Sequence, residues 1–319
     1  MLMHAVFLDQ KTFSEEVSIS AINAQVSRLT CYPNTSENQL LERCLSADII
    51  IVNKTIINKA LLKQLPKLAL ICIAATGTNN VDLEAAKQLN IAVMNVSGYS
   101  SPSVTQYVFA QILAYYSQIE HHNNNVAQGK WQQHSSFCYH GNGSSEIAGK
   151  TLSIIGYGAL GKSVAKVAQA FGMNILIAER PNATHIRAGR VNFNDALSQG
   201  DIVSLHCPET ADTVDLMNDK TLALMKPSAM LINTARGALV NSEALVNALK
   251  SNKIACAALD VLDQEPPAAN HPLLQCHLPN LVITAHIAWA SIEAQQRLLE
   301  LIALNIAHFK VDNTTNRVV

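Results

Sequence analysis

Short apolar runs alternate with helical patterns along most of the chain. Residues 5–8, 48–52, 68–74 and 91–95 form four such runs in the first hundred positions. Each is short, rich in β-branched residues and apolar at successive positions. That is the pattern of strands covered on both faces, as in a parallel sheet. A helical segment at 83–89 falls between two of the runs, and strand–helix alternation predicts βαβ units. A long helical pattern follows at 103–119. A polar stretch, 121–146, then shows no clear period and reads as a loop or an excursion onto another subunit.

A second series begins after Lys150. It predicts a strand at 151–155, a glycine turn at 156–161 and a helix at 163–171. Further strands are expected at 174–178, 202–205, 229–233, 255–259 and 281–284, and a closing helix at 292–309. The architecture expected is α/β with two doubly wound parallel-sheet domains. At 319 residues the chain has room for two cores. The last helix comes after the second series, so it can return to the first domain. The domains are expected to be 1–100 with 290–319, and 101–289.

Composition narrows the function classes. Charged residues make up 15% of the chain and the net charge is −1, with no basic run of the kind that grips nucleic acid. No apolar run reaches the roughly 18 residues that span a bilayer. The N-terminus lacks the basic start of a signal peptide and reads as a first strand. The seven cysteines include no CxxC pair, which suggests free thiols in a reducing, cytoplasmic setting. His121 and His122 lack further spaced ligands, so no metal site is expected.

Candidate chemistry concentrates at strand ends. Gly156-Tyr157-Gly158-Ala159-Leu160-Gly161 is a G-x-G-x-x-G turn between a strand and a helix. An acidic residue, Glu179, closes the next strand 18 positions later. This context is that of a dinucleotide site: a tight turn, close backbone approach to a pyrophosphate, and a helix N-terminus facing the phosphates. Glu179 is expected to take hydrogen bonds from the adenosine ribose. Its charge favours NAD, although Arg180 beside it leaves NADP possible.

Arg236, Asp260 and His286 each fall just past a predicted strand, where ligands of open parallel sheets bind. Glu265 lies in the loop after Asp260. The chain here resembles the D-isomer-specific 2-hydroxyacid dehydrogenases. The resemblance rests on the glycine turn, His206-Cys207-Pro208, Met225-Lys226-Pro227, Asn233-Thr234-Ala235-Arg236-Gly237, Ala258-Leu259-Asp260-Val261, Glu265-Pro266, Pro279-Asn280-Leu281 and Ala285-His286-Ile287-Ala288. It implies a flavodoxin-like substrate domain, a Rossmann NAD-binding domain and a catalytic trio of Arg236, Glu265 and His286. It also implies cofactor contacts from Ala159, Leu160, His206, Cys207, Pro208, Thr213, Thr234, Ala235, Asp260 and Ala288, along with the trio's Arg236 and His286. For Asp260, a role in structuring the loop is equally open. The segments 74–82 and 286–291 are similar to those of the glycerate dehydrogenases, or hydroxypyruvate reductases.

The chemistry asks for these residue types independently. Reducing a 2-keto acid delivers hydride to carbon and a proton to oxygen, and histidine titrates in the right range to supply the proton. Arg236 offers a planar cationic fork for the substrate carboxylate. Glu265 would orient the imidazole. Thr76-Gly77-Thr78 could form a small nest for the carboxylate, and Asn53, Lys54 and Trp289 are further substrate candidates. The Thr-Gly-Thr-Asn stretch departs from the Gly-Val-Gly-x-Asp of many relatives and leaves the size of the substrate open. Lys54 is equally an ordinary exposed lysine, and Trp289, like Trp131, either shapes the pocket or simply packs.

Hydroxypyruvate and glyoxylate are the expected substrates, with D-lactate-type activity the alternative. The chain stops soon after its last helix, unlike phosphoglycerate enzymes with a regulatory extension. Some relatives act instead as NAD-sensing corepressors. Closure hinged near 97–103 and 288–292 is expected, as is a homodimer formed through the 101–148 segment.

Overall fold

The computed structural model describes residues 3–319. The start of the expected first strand at Met1 and Leu2 lies outside the described residues. The chain divides into two compact units, with breaks after Ser100 and after Ala288. The second break comes one residue earlier than expected, which puts Trp289 in the first unit.

The first unit holds a parallel sheet of β1 (His4–Phe7), β2 (Arg28–Cys31), β3 (Ile49–Val52), β4 (Leu70–Ile73) and β5 (Ala92–Met94). The strand order is β2-β1-β3-β4-β5, that of a flavodoxin-like doubly wound sheet. Helices α1 (Ser20–Asn23), α2 (Glu37–Cys44), α3 (Lys59–Leu62) and α4 (Leu83–Gln88) connect the strands. Every residue of β3, β4 and β5 is buried. This is why their apolar runs were continuous rather than alternating. β2 was not expected. It is an edge strand, none of its residues is fully buried, and so it carries no apolar run.

The second unit opens with α5 (Ser101–Ser117) and α6 (Ile119–Ala127). The polar stretch is thus partly helical. Asn125 is the one buried residue of α6, so the helix has no apolar stripe to betray it. Gln118 separates the two helices in a left-handed conformation, φ +51°. The sheet that follows contains β6 (Thr151–Ile155), β7 (Asn174–Ile177), β8 (Ile202–Leu205), β9 (Met230–Asn233), β10 (Cys256–Leu259) and β11 (Leu281–Ile283). Its helices are α7 (Ala159–Ala170), α8 (Phe193–Gln199), α9 (Asp219–Leu222), α10 (Ser242–Lys250) and α11 (Pro272–Gln275). All strands are parallel, in the order β7-β6-β8-β9-β10-β11. Beyond β7, a single parallel bridge from Ala178 to Val191 stands where a Rossmann sheet carries one more strand.

The last helix, α12 (Ile292–Lys310), belongs to the first unit. Its buried face, including Leu298, Leu299, Ile302 and Ile306, covers one side of that unit's sheet. The seven cysteines are all free thiols. Burial pushes Cys44 and Cys256 up to about 12, leaving them as inert packing groups.

Candidate active site

The six strands of the second unit end in a row, and each end carries a residue of interest. In sheet order from β11, these are His286, Asp260, Thr234 with Arg236, His206, the glycine turn, and Glu179. The chain crosses from one side of β6 to the other between β7 and β8, so the glycine turn sits at the topological switch point.

The turn is built for close approach. Gly156 has φ +98°, and a Cβ there would fall 2.5 Å from the backbone nitrogen of Cys207. At Gly158 a Cβ would meet nothing within 4 Å. Gly158 is the N-cap of α7, so the helix starts inside the motif, at Ala159, earlier than expected. Ala159 and Leu160 thereby fall in the first helical turn, whose N–H groups have no partner within the helix. The open space at Gly158 before these donors suits the pyrophosphate of a dinucleotide. Two buried side-chain atoms at neighbouring strand ends also lack a partner: Nδ1 of His206 and Oγ1 of Thr234. Burial holds His206 neutral, with a pKa lowered to about 4. The residues present therefore fit NAD.

Glu179 differs from expectation in its surroundings. It is 3% exposed and both its oxygens are taken by the chain. Arg180 N–H donates to Oε1 at 2.9 Å, Arg187 Nε donates to Oε2 at 2.7 Å, and Arg187 Nη2 donates to Oε1. Arg190 Nε lies 3.9 Å from Oε2. The Arg187 guanidinium, with the Arg180 N–H, holds this carboxyl far below the usual range. Arg180 contributes its backbone, and the cation on Glu179 is Arg187, eight residues on in a segment with no periodic signal.

His286 and Glu265 come together. Nδ1 of His286 lies 2.7 Å from Oε2 of Glu265, while Oε1 accepts the N–H of Leu262 at 3.1 Å. A carboxylate only accepts, so Nδ1 carries the hydrogen and Nε2 is left for chemistry. The His286 side chain is 24% exposed and has access to solvent. A pocket of about 180 Å³ is lined by Arg236, Glu265, His286 and Glu209, among others. Arg236 Nη1 donates to the Ala235 carbonyl at 2.7 Å. Asn233, fully buried, fixes this loop by accepting from Ala235 N–H and donating to the Arg236 carbonyl. Gly237 allows the loop to meet the next one, since a Cβ there would fall 1.8 Å from the carbonyl carbon of Leu262.

Asp260 works on the chain itself. Its carboxylate accepts from Thr284 Oγ1 at 2.5 Å, Ile287 N–H at 2.9 Å and Ala288 N–H at 2.8 Å. Tyr107 of α5 bonds Thr284 Oγ1 at 2.7 Å. Between those anchors His286 adopts a left-handed conformation, φ +55°, which a residue with a side chain rarely takes. Of the two roles open to Asp260, the structure shows loop-building. Ala288 gives its N–H to Asp260 and its carbonyl to Ser103 Oγ, at 2.7 Å. The Thr213 hydroxyl closes its own loop, donating to the Pro208 carbonyl and accepting from Thr210 N–H. Cys207 is half-buried and Pro208 exposed at the same corner.

In the first unit, Asn53 and Lys54 follow β3, and the Thr76–Thr78 turn follows β4. Asp9, buried after β1, accepts the N–H groups of Asn53, Lys54 and Thr55. Its position directly after an apolar strand is the one sequence signal it carries. Thr76 Oγ1 donates to the Val96 carbonyl at 2.9 Å. Trp289 packs edge-on to Phe13 and Tyr99, at centroid distances of 5.9 and 6.2 Å, beside the core of this unit. These contacts give it a packing role in the first unit. Among the described residues no helix is long and apolar enough to cross a membrane, and no group of three or more His, Cys, Asp or Glu is placed to hold a metal.

Comparison with known proteins agrees with this geometry. Residues 109–288 match the NAD-binding domain of the D-isomer-specific 2-hydroxyacid dehydrogenases. The glycerate dehydrogenase of Methylorubrum extorquens is 39% identical over 316 residues, covering 99% of both chains. The structure of an acyclic imino acid reductase with NADPH and D-Arg superimposes with a TM-score of 0.85 at 30% identity, over 99% of this chain and 100% of that one. That of Aquifex aeolicus D-lactate dehydrogenase with NAD and lactic acid gives 0.82 at 26% identity, over 99% of each. Fold, strand-end chemistry and sequence agree: the chain belongs to the D-isomer-specific 2-hydroxyacid dehydrogenase family and is an NAD-dependent oxidoreductase.

Proposed function

We propose that this enzyme reduces hydroxypyruvate to D-glycerate, and glyoxylate to glycolate, with NADH. The observation that carries the reading is the 2.7 Å contact between His286 and Glu265 on the pocket that Arg236 also lines. The choice of substrate is supported by the 39% identity to a glycerate dehydrogenase over essentially the whole chain.

Bound nicotinamide supplies the hydride. The Arg236 guanidinium binds the substrate carboxylate and draws electron density from the adjacent carbonyl. As the carbonyl carbon gains hydride, its oxygen takes the proton held at His286 Nε2 and becomes the hydroxyl. Glu265 keeps the ring in one tautomer and stabilises the imidazolium before transfer. The neutral imidazole then regains a proton from solvent. Asp260 and Thr284 hold the turn that aims His286. The Asn53–Lys54 and Thr76–Thr78 turns are assigned to substrate contacts of the first unit.

We also infer a homodimer through the 101–148 segment. Ile119, Trp131 and Phe137 are 70%, 49% and 90% exposed there, an apolar surface that a partner subunit would cover. Light scattering showing an active monomer would refute this.

The decisive experiment compares initial rates on hydroxypyruvate, glyoxylate, pyruvate and 3-phosphohydroxypyruvate with NADH. The proposal expects hydroxypyruvate to lead. A clear lead for pyruvate would make this a D-lactate-type enzyme. NADH binding without turnover of any of them would turn the reading towards a sensor.

A further inference from the structure

The loop that carries Glu265 holds a second carboxylate, Asp263, two positions earlier. It too meets an imidazole. Nε2 of His271 lies 2.8 Å from Oδ1 of Asp263, and Ser242 Oγ, at the start of α10, donates to the same oxygen at 3.2 Å. His271 is the N-cap of α11, and its Nδ1 accepts the N–H of Leu273 at 3.3 Å. With Nδ1 accepting, the ring carries its hydrogen on Nε2 and donates it to Asp263. The His271 side chain is 5% exposed, against 50% for Asp263. An imidazole so withdrawn from water, with both nitrogens engaged, acts on its neighbours and not on a substrate. The peptide between Leu262 and Asp263 is fixed as well, since it lies against Gly237, where a Cβ would fall 2.2 Å from the Asp263 nitrogen. Leu262 N–H in turn holds Oε1 of Glu265. The loop is thus tied to the starts of α10 and α11 through Asp263, and to His286 through Glu265.

We propose that His271 is a positioning residue for the reaction: by holding Asp263 it fixes the Glu265 loop, and through that loop the orientation of the His286 ring. The inference rests on the proposed role of Glu265, and it holds whichever keto acid is reduced. A catalytic group that must find its orientation anew on each turnover loses rate. Affinity is set elsewhere, because the substrate carboxylate is assigned to Arg236, on the loop after β9. Loosening the Asp263–His271 pair therefore lowers kcat and spares KM.

The test is a double-mutant cycle between His271 and Glu265, read by steady-state reduction of hydroxypyruvate with NADH. His271→Asn keeps a good N-cap for α11 and is too short to reach Asp263. It should lower kcat by about 3- to 30-fold, part of the factor that one hydrogen bond to a charged group carries, with KM within about twofold. His271→Gln, which offers an acceptor and a donor side by side as the imidazole does, should restore most of the loss. Asp263→Ala breaks the same pair from its half-exposed side and should match His271→Asn, which keeps the inference testable if His271→Asn does not fold. In a Glu265→Gln background, His271→Asn should cost no more than about twofold further, because the group it positions is already disabled. A loss that multiplies in full in the double variant would overturn the inference. So would wild-type kinetics in His271→Asn and Asp263→Ala beside a slow Glu265→Gln, and that result would leave the proposed mechanism standing. Full activity in Glu265→Gln would overturn both.

Discussion

His286 Nδ1 stands 2.7 Å from Glu265 Oε2, although the two residues belong to loops after different strands, β11 and β10. The second oxygen of Glu265 is held by Leu262 N–H, so the carboxylate is fixed before it meets the ring. On the proposed mechanism this contact keeps a proton at Nδ1 and steadies the imidazolium.

Glu265→Gln keeps the shape and removes the charge. The proposal expects kcat for keto-acid reduction to fall by about 10- to 100-fold with KM little changed, because Glu265 reaches the substrate only through His286. His286→Gln should cost more, about 100- to 10,000-fold. Steady-state kinetics checks both. Full activity in His286→Gln would remove His286 from the role of acid, and full activity in Glu265→Gln would remove Glu265 from that of its positioning residue.

Arg236→Lys retains the charge and loses the planar fork. KM for the keto acid should rise, and kcat/KM should fall by about 100-fold. NADH affinity, measured by fluorescence titration, should hold within about threefold.

Gly237→Ala would place a methyl group 1.8 Å from the carbonyl carbon of Leu262, inside backbone that cannot yield. The loops bearing Arg236 and Glu265 would be forced apart. Destabilisation on the order of 3 kcal/mol is expected, together with loss of activity, and thermal unfolding with an activity assay reads both. Unchanged melting would contradict the close loop contact.

His206 is half-buried, and desolvation of its ring lowers its pKa to about 4 from an ordinary value of 6.5. Below pH 6.5 the unfolded chain takes up a proton there and the folded chain does not. Stability therefore falls as the pH drops from about 6.5 to 4, by at most about 3 kcal/mol from this residue. Urea unfolding at pH 7 and pH 5 should show the loss, and His206→Gln should show a smaller one. Equal losses would assign the acid sensitivity to other groups.

The chain's own pattern determined which segments become buried strands. β3, β4 and β8 are apolar at nearly every position because helices cover both their faces, and that demand is written locally. The same is true of the glycine turn, whose sterics act within a few residues, and of the type and strand-end position of Arg236 and His286. Edge strand β2 and helix α6 escaped because neither buries an apolar face, so no periodicity marks them. Only the tertiary structure decided who meets whom. Glu265 reaches His286 because β10 and β11 are neighbours in the sheet. Asp260 turns to the 284–288 loop for the same reason, and Arg187 rather than Arg180 closes on Glu179 because the chain folds back to pair Val191 with Ala178. Hydrogen bonds and ion pairs act over about 3 Å of space whatever the separation along the chain. Residue type and local pattern can name the candidate groups, and packing alone selects their partners.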